Sequence, residues 1–260
     1  MSSAPMVVRP EDVARAFLTP RAPAQRVPLA IPNSERFRIP TSEGEIAVQR
    51  AGEGPLVLLL HGWEGQSSDL AGFVEPLLKS RHTVVAMDLP AHGDSSGRQT
   101  SIPQSARALR TVGEVLGPLH AVIAHSIGTA VAVEAMYAGM SVGRAALIAA
   151  PAHYERYARS FAAAAGLDGA ATELFLERLR ETVGVDISEI SLPRRAPHLR
   201  QRALFVHSAD DRVVSIEDSR SGASVWPGAL HVPVDGLGHR RILADAAVIA
   251  AVVRFVINVE

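Results

Sequence analysis

The sequence predicts an α/β protein: a doubly wound, mostly parallel sheet of eight strands, with a small helical cap inserted after the sixth strand. Three observations carry this. Short, almost wholly apolar runs, such as Leu56–Leu60 and Thr83–Met87, alternate with longer segments of helical spacing. Such runs suit strands buried on both faces of a parallel sheet, and strands alternating with helices make that sheet doubly wound. Between about Ala152 and Leu199 helical spacing continues with no strand between, and then the alternation resumes.

Composition bounds the rest. A chain of 260 residues, 47% of them hydrophobic, supplies one sizeable core. The formal net charge of -1 provides no overall field to draw in nucleic acid or an anionic membrane. There are no cysteines, which excludes disulfides, thiolate metal ligands and a cysteine nucleophile. Lys79 is the only lysine, and with abundant alanine this points to a GC-rich coding bias and a bacterial source. No apolar run approaches the roughly 18 residues that span a bilayer. Met1–Pro10 lacks the basic start and apolar stretch of a secretory leader. The expected location is therefore cytoplasmic, with no membrane span.

The elements follow in order. Residues 1–34 are expected to form an N-terminal tail, and residues 35–260 the domain. Glu11–Leu18 spaces Val13 and Phe17 as one helical face, but Pro20, Pro23, Pro28 and Pro32 forbid regular structure beyond it. This tail is expected on the surface or partly in solvent. Arg36–Ile39 and Glu45–Arg50 flank the turn Ser42-Glu43-Gly44, which predicts a hairpin. Leu56–Leu60, Thr83–Met87, Ala121–Ala124, Ala145–Ala150, Ala203–His207 and Leu230–Val234 complete the eight strands. Helices are expected over Ser67–Lys79, Pro103–Leu116, Thr129–Ala138, Ile216–Ser224 and Ile242–Val256, with two or three more in a cap at about 152–199. The cap carries Tyr154, Tyr157, Phe161 and Phe175. Most of these belong to the cap's own buried face; one or two are expected to face a pocket.

In doubly wound sheets, functional groups collect at the carboxyl ends of the strands. The run Ala121–Ala124 stops at His125-Ser126-Ile127-Gly128, and helical spacing follows. A sharp strand-to-helix turn lifts Ser126 out of the backbone, beside the N–H groups of the helix start. A serine hydroxyl is a weak nucleophile and needs such a setting, a base and a group to orient that base. The spacing is G-x-S-x-G with Ala124 in the first glycine's place. Alone, this stretch describes a solvated turn serine equally well. The other strand ends decide between the two: they carry His239, between flexible Gly236 and Gly238, and the pair Asp210 and Asp211. Spacing to Val213-Val214 favours Asp211 as the acid, with Asp210 a turn residue. Asp235 is expected to accept hydrogen bonds within its own turn. His61 and His92 are expected to hold turns together, His207 to be structural, and His125 either to line the pocket or only to pack. No pair of histidines has metal-ligand spacing, and the first buried strand leads into no G-x-G-x-x-G loop. No metal, cofactor or nucleic-acid partner is expected.

These residues stand with Leu58-Leu59-Leu60-His61-Gly62-Trp63, Asp88-Leu89-Pro90-Ala91-His92-Gly93-Asp94-Ser95 and His207-Ser208-Ala209-Asp210-Asp211. Together and in this order, they make the chain from about Arg36 onward resemble the α/β-hydrolase fold superfamily, in its esterase-like group with a short helical cap. The resemblance implies a Ser126, Asp211, His239 triad and an oxyanion hole from the backbone N–H groups of Ile127 and Trp63. It departs from the pattern at Ala124 and at Ser208, where glycine is frequent. It implies a small-molecule ester or thioester substrate cleaved through an acyl-enzyme on Ser126, in a pocket drawing on His125, Tyr154, Tyr157 and Phe161. The same triad also serves C–C bond hydrolysis, amidase or peptidase action, lactone opening and perhydrolysis. The same fold also serves as a non-catalytic binding module. A monomer and a homodimer remain equally open.

Overall fold

A computed structural model describes residues 8–23 and 25–258. Residues 1–7 and 24 of the expected tail, and the last two residues of the expected domain, lie outside the described residues. The eight strands are β1 (Glu35–Thr41), β2 (Gly44–Ala51), β3 (Leu56–Leu60), β4 (Thr83–Met87), β5 (Leu119–His125), β6 (Val142–Ile148), β7 (Arg202–Ser208) and β8 (Leu230–Val234). They form one sheet in the order β1-β2-β4-β3-β5-β6-β7-β8. The hairpin β1–β2 is antiparallel and joins β4 antiparallel; every pairing from β4 to β8 is parallel. This is the mostly parallel eight-stranded sheet the sequence predicts.

Alternation along the strands splits the apolar residues between two cores. Val57, Leu59, Ala121 and Ile123 point to one face, where α2 (Ala71–Lys79) lays down Phe73 and Leu77 and α10 (Ala246–Ile257) lays down Val252 and Val256. Leu58, Leu60, Val122 and Ala124 point to the other, covered by Leu109 of α3 (Ile102–Leu116) and Val131 of α4 (Ile127–Tyr137). With both faces covered, the central strands carry no polar face, which is why the middle of each is apolar. Among the described residues no helix is long and apolar enough to cross a membrane.

Between β6 and β7 the chain runs through α5 (Tyr154–Ala164), α6 (Gly169–Val183) and the short α7 (Leu192–Arg195). Phe175 and Leu179 of α6 are wholly buried. The buried carboxylate of Asp218, on α8 (Ile216–Val225), ties this insertion to the sheet domain. It accepts hydrogen bonds from the Ala152 N–H at 3.1 Å, the Tyr157 hydroxyl at 2.7 Å and the Arg156 guanidinium.

The N-terminal stretch differs from the expected surface tail. Helix α1 (Pro10–Phe17) forms where the spacing places it, but it buries Val13 and Ala14, and Leu18 follows them into the main core. Phe17 sits 5.2–5.9 Å, ring centroid to ring centroid, from Tyr154, Phe161 and Phe175. The apolar face that the sequence shows without a partner is thus covered by the inserted helices. Full burial of a Leu or Val contributes about 1.5–3 kcal/mol each, enough to hold so short a helix in place. The proline-rich continuation also stays attached. The Arg21 N–H donates to Glu64 Oε1 and the Val27 N–H to Gln66 Oε1, both at 3.2 Å.

The segment 242–256, expected as one helix, is a 3-10 turn at Ile242–Ala244 followed by α10. Asp245 makes the break: it is extended and accepts from the Val248 N–H at 2.9 Å as an N-cap.

Candidate active site

Ser126 lies between β5 and α4 with φ 52° and ψ -127°. This left-handed conformation is costly for a residue with a Cβ, of order 1–3 kcal/mol, and persists only where the surroundings enforce it. Here two glycines do so. A Cβ on Gly128 would stand 2.4 Å from the His61 carbonyl oxygen and 2.8 Å from that of Leu60, so only glycine lets α4 start this close to the end of β3. A Cβ on Gly62 would stand 3.0 Å from Ser126 Cβ. Ala124, by contrast, sits fully buried in regular strand between Leu60 and Leu147. Its φ is not positive, so no glycine is needed there.

The carboxyl ends of β5, β7 and β8 bring Ser126, Asp211 and His239 together. His239 Nε2 is 3.1 Å from Ser126 Oγ, and its Nδ1 is 2.7 Å from Asp211 Oδ2. A carboxylate accepts, so Nδ1 carries the proton and Nε2 presents its lone pair to the serine hydroxyl. The Asp211 side chain is fully buried. Burial by itself raises its pKa, but donors from His207, His239 and the N–H groups of Val214 and Val213 outweigh burial and hold the carboxyl far below the usual range. It stays ionised without titrating alongside the imidazole.

His239 lies in a four-residue helical turn, α9 (Gly238–Arg241), and not in an open loop. Asp210 anchors that turn by accepting from the Gly238 N–H at 2.9 Å. Ser208 adds to it, since its Oγ accepts from the N–H groups of Leu237 at 3.2 Å and Gly238 at 3.1 Å. The hydroxyl at this glycine-frequent position thus has work to do. Among the described residues, Asp235 accepts only from the N–H of Gly236 next to it.

The surrounding histidines are neutral and tied down. His61 Nδ1–H donates to the Gly62 carbonyl at 2.7 Å while its Nε2 accepts the Leu89 N–H at 3.0 Å, joining the ends of β3 and β4. His92 does the same between the Pro90 carbonyl and the Glu64 N–H, and burial first, then the His61 ring, pull its pKa down to about 4. His125 Nε2–H donates to the His239 carbonyl at 2.9 Å. Burial first, then the neighbouring His239 ring, pull its pKa down to about 3.

A cleft of about 140 Å³ opens on Ser126 and His239, walled by Trp63, Leu243, Ala244 and His125 and carrying Asp69 and Arg240. Asp69 and Arg240 carry no signal in the sequence beyond proximity to Trp63 and His239. Tyr154, Tyr157 and Phe161 do not line this cleft. Tyr154 and Tyr157 border a separate void of about 10 Å³ beside Ile127, and Phe161 packs on Phe17. Phe17 of α1 occupies the aromatic face of Tyr154 and Phe161, and Asp218 holds the Tyr157 hydroxyl. Among the described residues, neither the Ile127 N–H nor the Trp63 N–H finds a hydrogen-bond partner. Among the described residues, no group of three or more His, Asp or Glu side chains is arranged to hold a metal ion.

Comparison with known proteins follows this geometry. The profile of the alpha/beta hydrolase family matches residues 57–252. The pimeloyl-[acyl-carrier protein] methyl ester esterase of Methylococcus capsulatus is 44% identical over 48 residues, only 18% of this chain and 18% of that protein. Among solved structures, the Pyrococcus furiosus esterase Pf2001 superposes with a TM-score of 0.70 at 18% identity, covering 92% of this chain and 97% of that one. The esterase EaEST of Exiguobacterium antarcticum gives a TM-score of 0.66 at 16% identity, over 85% and 99% of the two chains. At these identities the superpositions speak for the fold. With three quarters of its length matched by the family's profile and the fold shared throughout, the chain belongs to the alpha/beta hydrolase family and is a hydrolase by that membership.

Proposed function

We propose that this hydrolase cleaves a small carboxylic ester or thioester through an acyl-enzyme on Ser126. The observation that carries the reading is the unbroken row Ser126 Oγ, His239, Asp211, with separations of 3.1 and 2.7 Å. His239 Nε2 takes the hydroxyl proton as Oγ attacks the carbonyl carbon. The oxyanion that forms faces the N–H groups of Ile127 and Trp63. Collapse expels the alcohol or thiol, which receives the proton from His239. The imidazole then activates a water that releases the acid. Asp211 keeps the tautomer right and stabilises the imidazolium.

Ester chemistry is supported by the curated relative, which is named for a methyl ester, and by the esterases of the same fold. Substrate size is read from the cleft. At roughly 30 Å³ per water, about 140 Å³ is the share of four to five waters, room for a short acyl group. A panel of p-nitrophenyl acetate, butyrate, octanoate and dodecanoate, with the matching thioesters, tests the reading. Turnover should be highest for the two short acyl groups and absent in Ser126→Ala. Undiminished hydrolysis by Ser126→Ala would overturn the mechanism, and a preference for dodecanoate would overturn the size assignment.

A further inference from the structure

The row of hydrogen bonds does not end at Asp211. Behind the carboxylate, at the end of β7, stands a second imidazole, His207, wholly buried. Its Nε2 is 3.0 Å from the Val214 carbonyl oxygen and 3.4 Å from Asp211 Oδ2. Both neighbours are acceptors only, so Nε2 bears a proton in every charge state of the ring. Asp211 Oδ2 therefore accepts the His239 Nδ1–H and has the His207 Nε2–H, whose closer acceptor is the Val214 carbonyl, within 3.4 Å on its other side.

The other ring nitrogen, Nδ1, is 2.8 Å from Ser219 Oγ on α8. That oxygen is in turn 2.9 Å from Nε2 of His231 on β8, and 3.0 Å from the Ile216 carbonyl. His207 and Ser219 are fully buried, while His231 is partly exposed. One hydroxyl proton therefore serves three neighbours. When it points to His207 Nδ1, His207 is neutral and the His231 Nε2–H donates to Ser219. When a further proton enters at His231, one concerted shift carries it inward. The His231 N–H proton passes to Ser219 Oγ, and the Ser219 O–H proton passes to His207 Nδ1. One N–H and one O–H bond break and one of each form, with solvent as the only proton source.

We propose that His207 is a positioning residue for Asp211, linked to solvent through Ser219 and His231. The proposal rests on the reading of Ser126, His239 and Asp211 as the catalytic set. The His207 N–H draws charge from Oδ2 that His239 otherwise feels. Removing it makes the His239 imidazole easier to protonate, so the acid limb of kcat/KM moves to higher pH. The charged and titratable groups around the relay are few. His207 points to the α8 face of the sheet, away from α10, and meets Asp211 from its own loop, Ser219 from α8 and His231 from β8. His231 is faced by Arg220 and Glu217 of α8. The adjoining end of β6 presents Ile148 and Ala149. His239 is faced by Asp211 and His125, with Arg240 beside it.

The test compares wild type with His207→Leu, His207→Gln, Ser219→Ala and His231→Ala, using p-nitrophenyl acetate across the pH range, with fluorophosphonate labelling and thermal melts in parallel. His207→Leu should move the acid limb up by about half a pH unit and lower kcat at unchanged KM. Ser219→Ala and His231→Ala should move the limb the same way by less. His207→Gln keeps an N–H donor and should recover most of kcat. If His207→Leu fails to fold, Ser219→Ala decides the matter, because it leaves the ring and the volume in place. Folded variants with profiles superimposable on wild type overturn the role of His207 and leave the serine mechanism standing. A wild type that neither labels nor hydrolyses the ester overturns the underlying reading instead.

Discussion

Asp211→Asn is the sharpest perturbation of the site, because its effect follows from counting donors. In the structure Oδ1 accepts the N–H groups of Val213 at 2.8 Å and Val214 at 3.0 Å, while Oδ2 accepts the His239 Nδ1–H at 2.7 Å and has the His207 Nε2–H nearby, at 3.4 Å. An asparagine keeps its one oxygen on the two backbone donors and turns its NH₂ toward His239. Two donors then face each other, and leaving the imidazole N–H unsatisfied there costs about 1–3 kcal/mol. The ring avoids this by moving its proton to Nε2. It then offers Ser126 a donor where a base is needed. Trapping the wrong tautomer in this way lowers kcat by about 10⁴-fold, or about 5 kcal/mol of barrier at about 1.4 kcal/mol per tenfold. The assay is steady-state hydrolysis of p-nitrophenyl acetate from pH 6 to 9, with near-ultraviolet circular dichroism to show that the fold is intact. A folded Asp211→Asn variant retaining a tenth or more of wild-type kcat would refute the tautomer argument.

Three further outcomes follow from the same coordinates. Gly128→Ala forces a Cβ to 2.4 Å from the His61 carbonyl oxygen. It should cost at least about 1–3 kcal/mol in urea denaturation and disturb the Ser126 turn enough to lower fluorophosphonate labelling. Asp218→Ala strands the Ala152 N–H and the Tyr157 hydroxyl, for a loss of about 2–4 kcal/mol and early proteolytic cleavage between β6 and β7. The buried His125, held down to about 3, takes up no proton between that value and the roughly 6.5 of an unfolded histidine. The unfolded chain does, so stability falls as pH drops from about 6.5 toward 3. Urea midpoints at pH 7 and pH 4.5 should show this loss, and His125→Asn should make it shallower.

How far the sequence is legible depends on how local the controlling physics is. Leu56–Leu60, Thr83–Met87 and Leu230–Val234 stand in the structure with the boundaries their residue patterns and flanking turns imply. The coming together of Ser126, Asp211 and His239 follows from sheet topology, because all three lie at the same end of parallel strands. The partner of α1 was not legible. Val13 and Phe17 advertise an apolar face, but Tyr154, Phe161 and Phe175 lie well over a hundred residues away, and proline spacing argued for a detached tail. The same missing contact leaves Tyr154 and Phe161 without a visible partner in the sequence. His207 was read as structural because nothing along the chain relates it to Ser219 and His231; the crossover through α8 does that. Ser208 illustrates the same point, since its hydroxyl matters only once the His239 turn folds over β7.

The proposed mechanism makes Ser126 the nucleophile, raised on a tight turn and activated by His239 and Asp211. Intact-mass analysis after brief exposure to a fluorophosphonate tests it most directly. Wild type should gain the mass of one phosphonyl group on the peptide containing Ser126, and Ser126→Ala should gain none. An unlabelled wild type, or a label that persists in Ser126→Ala, would contradict the account.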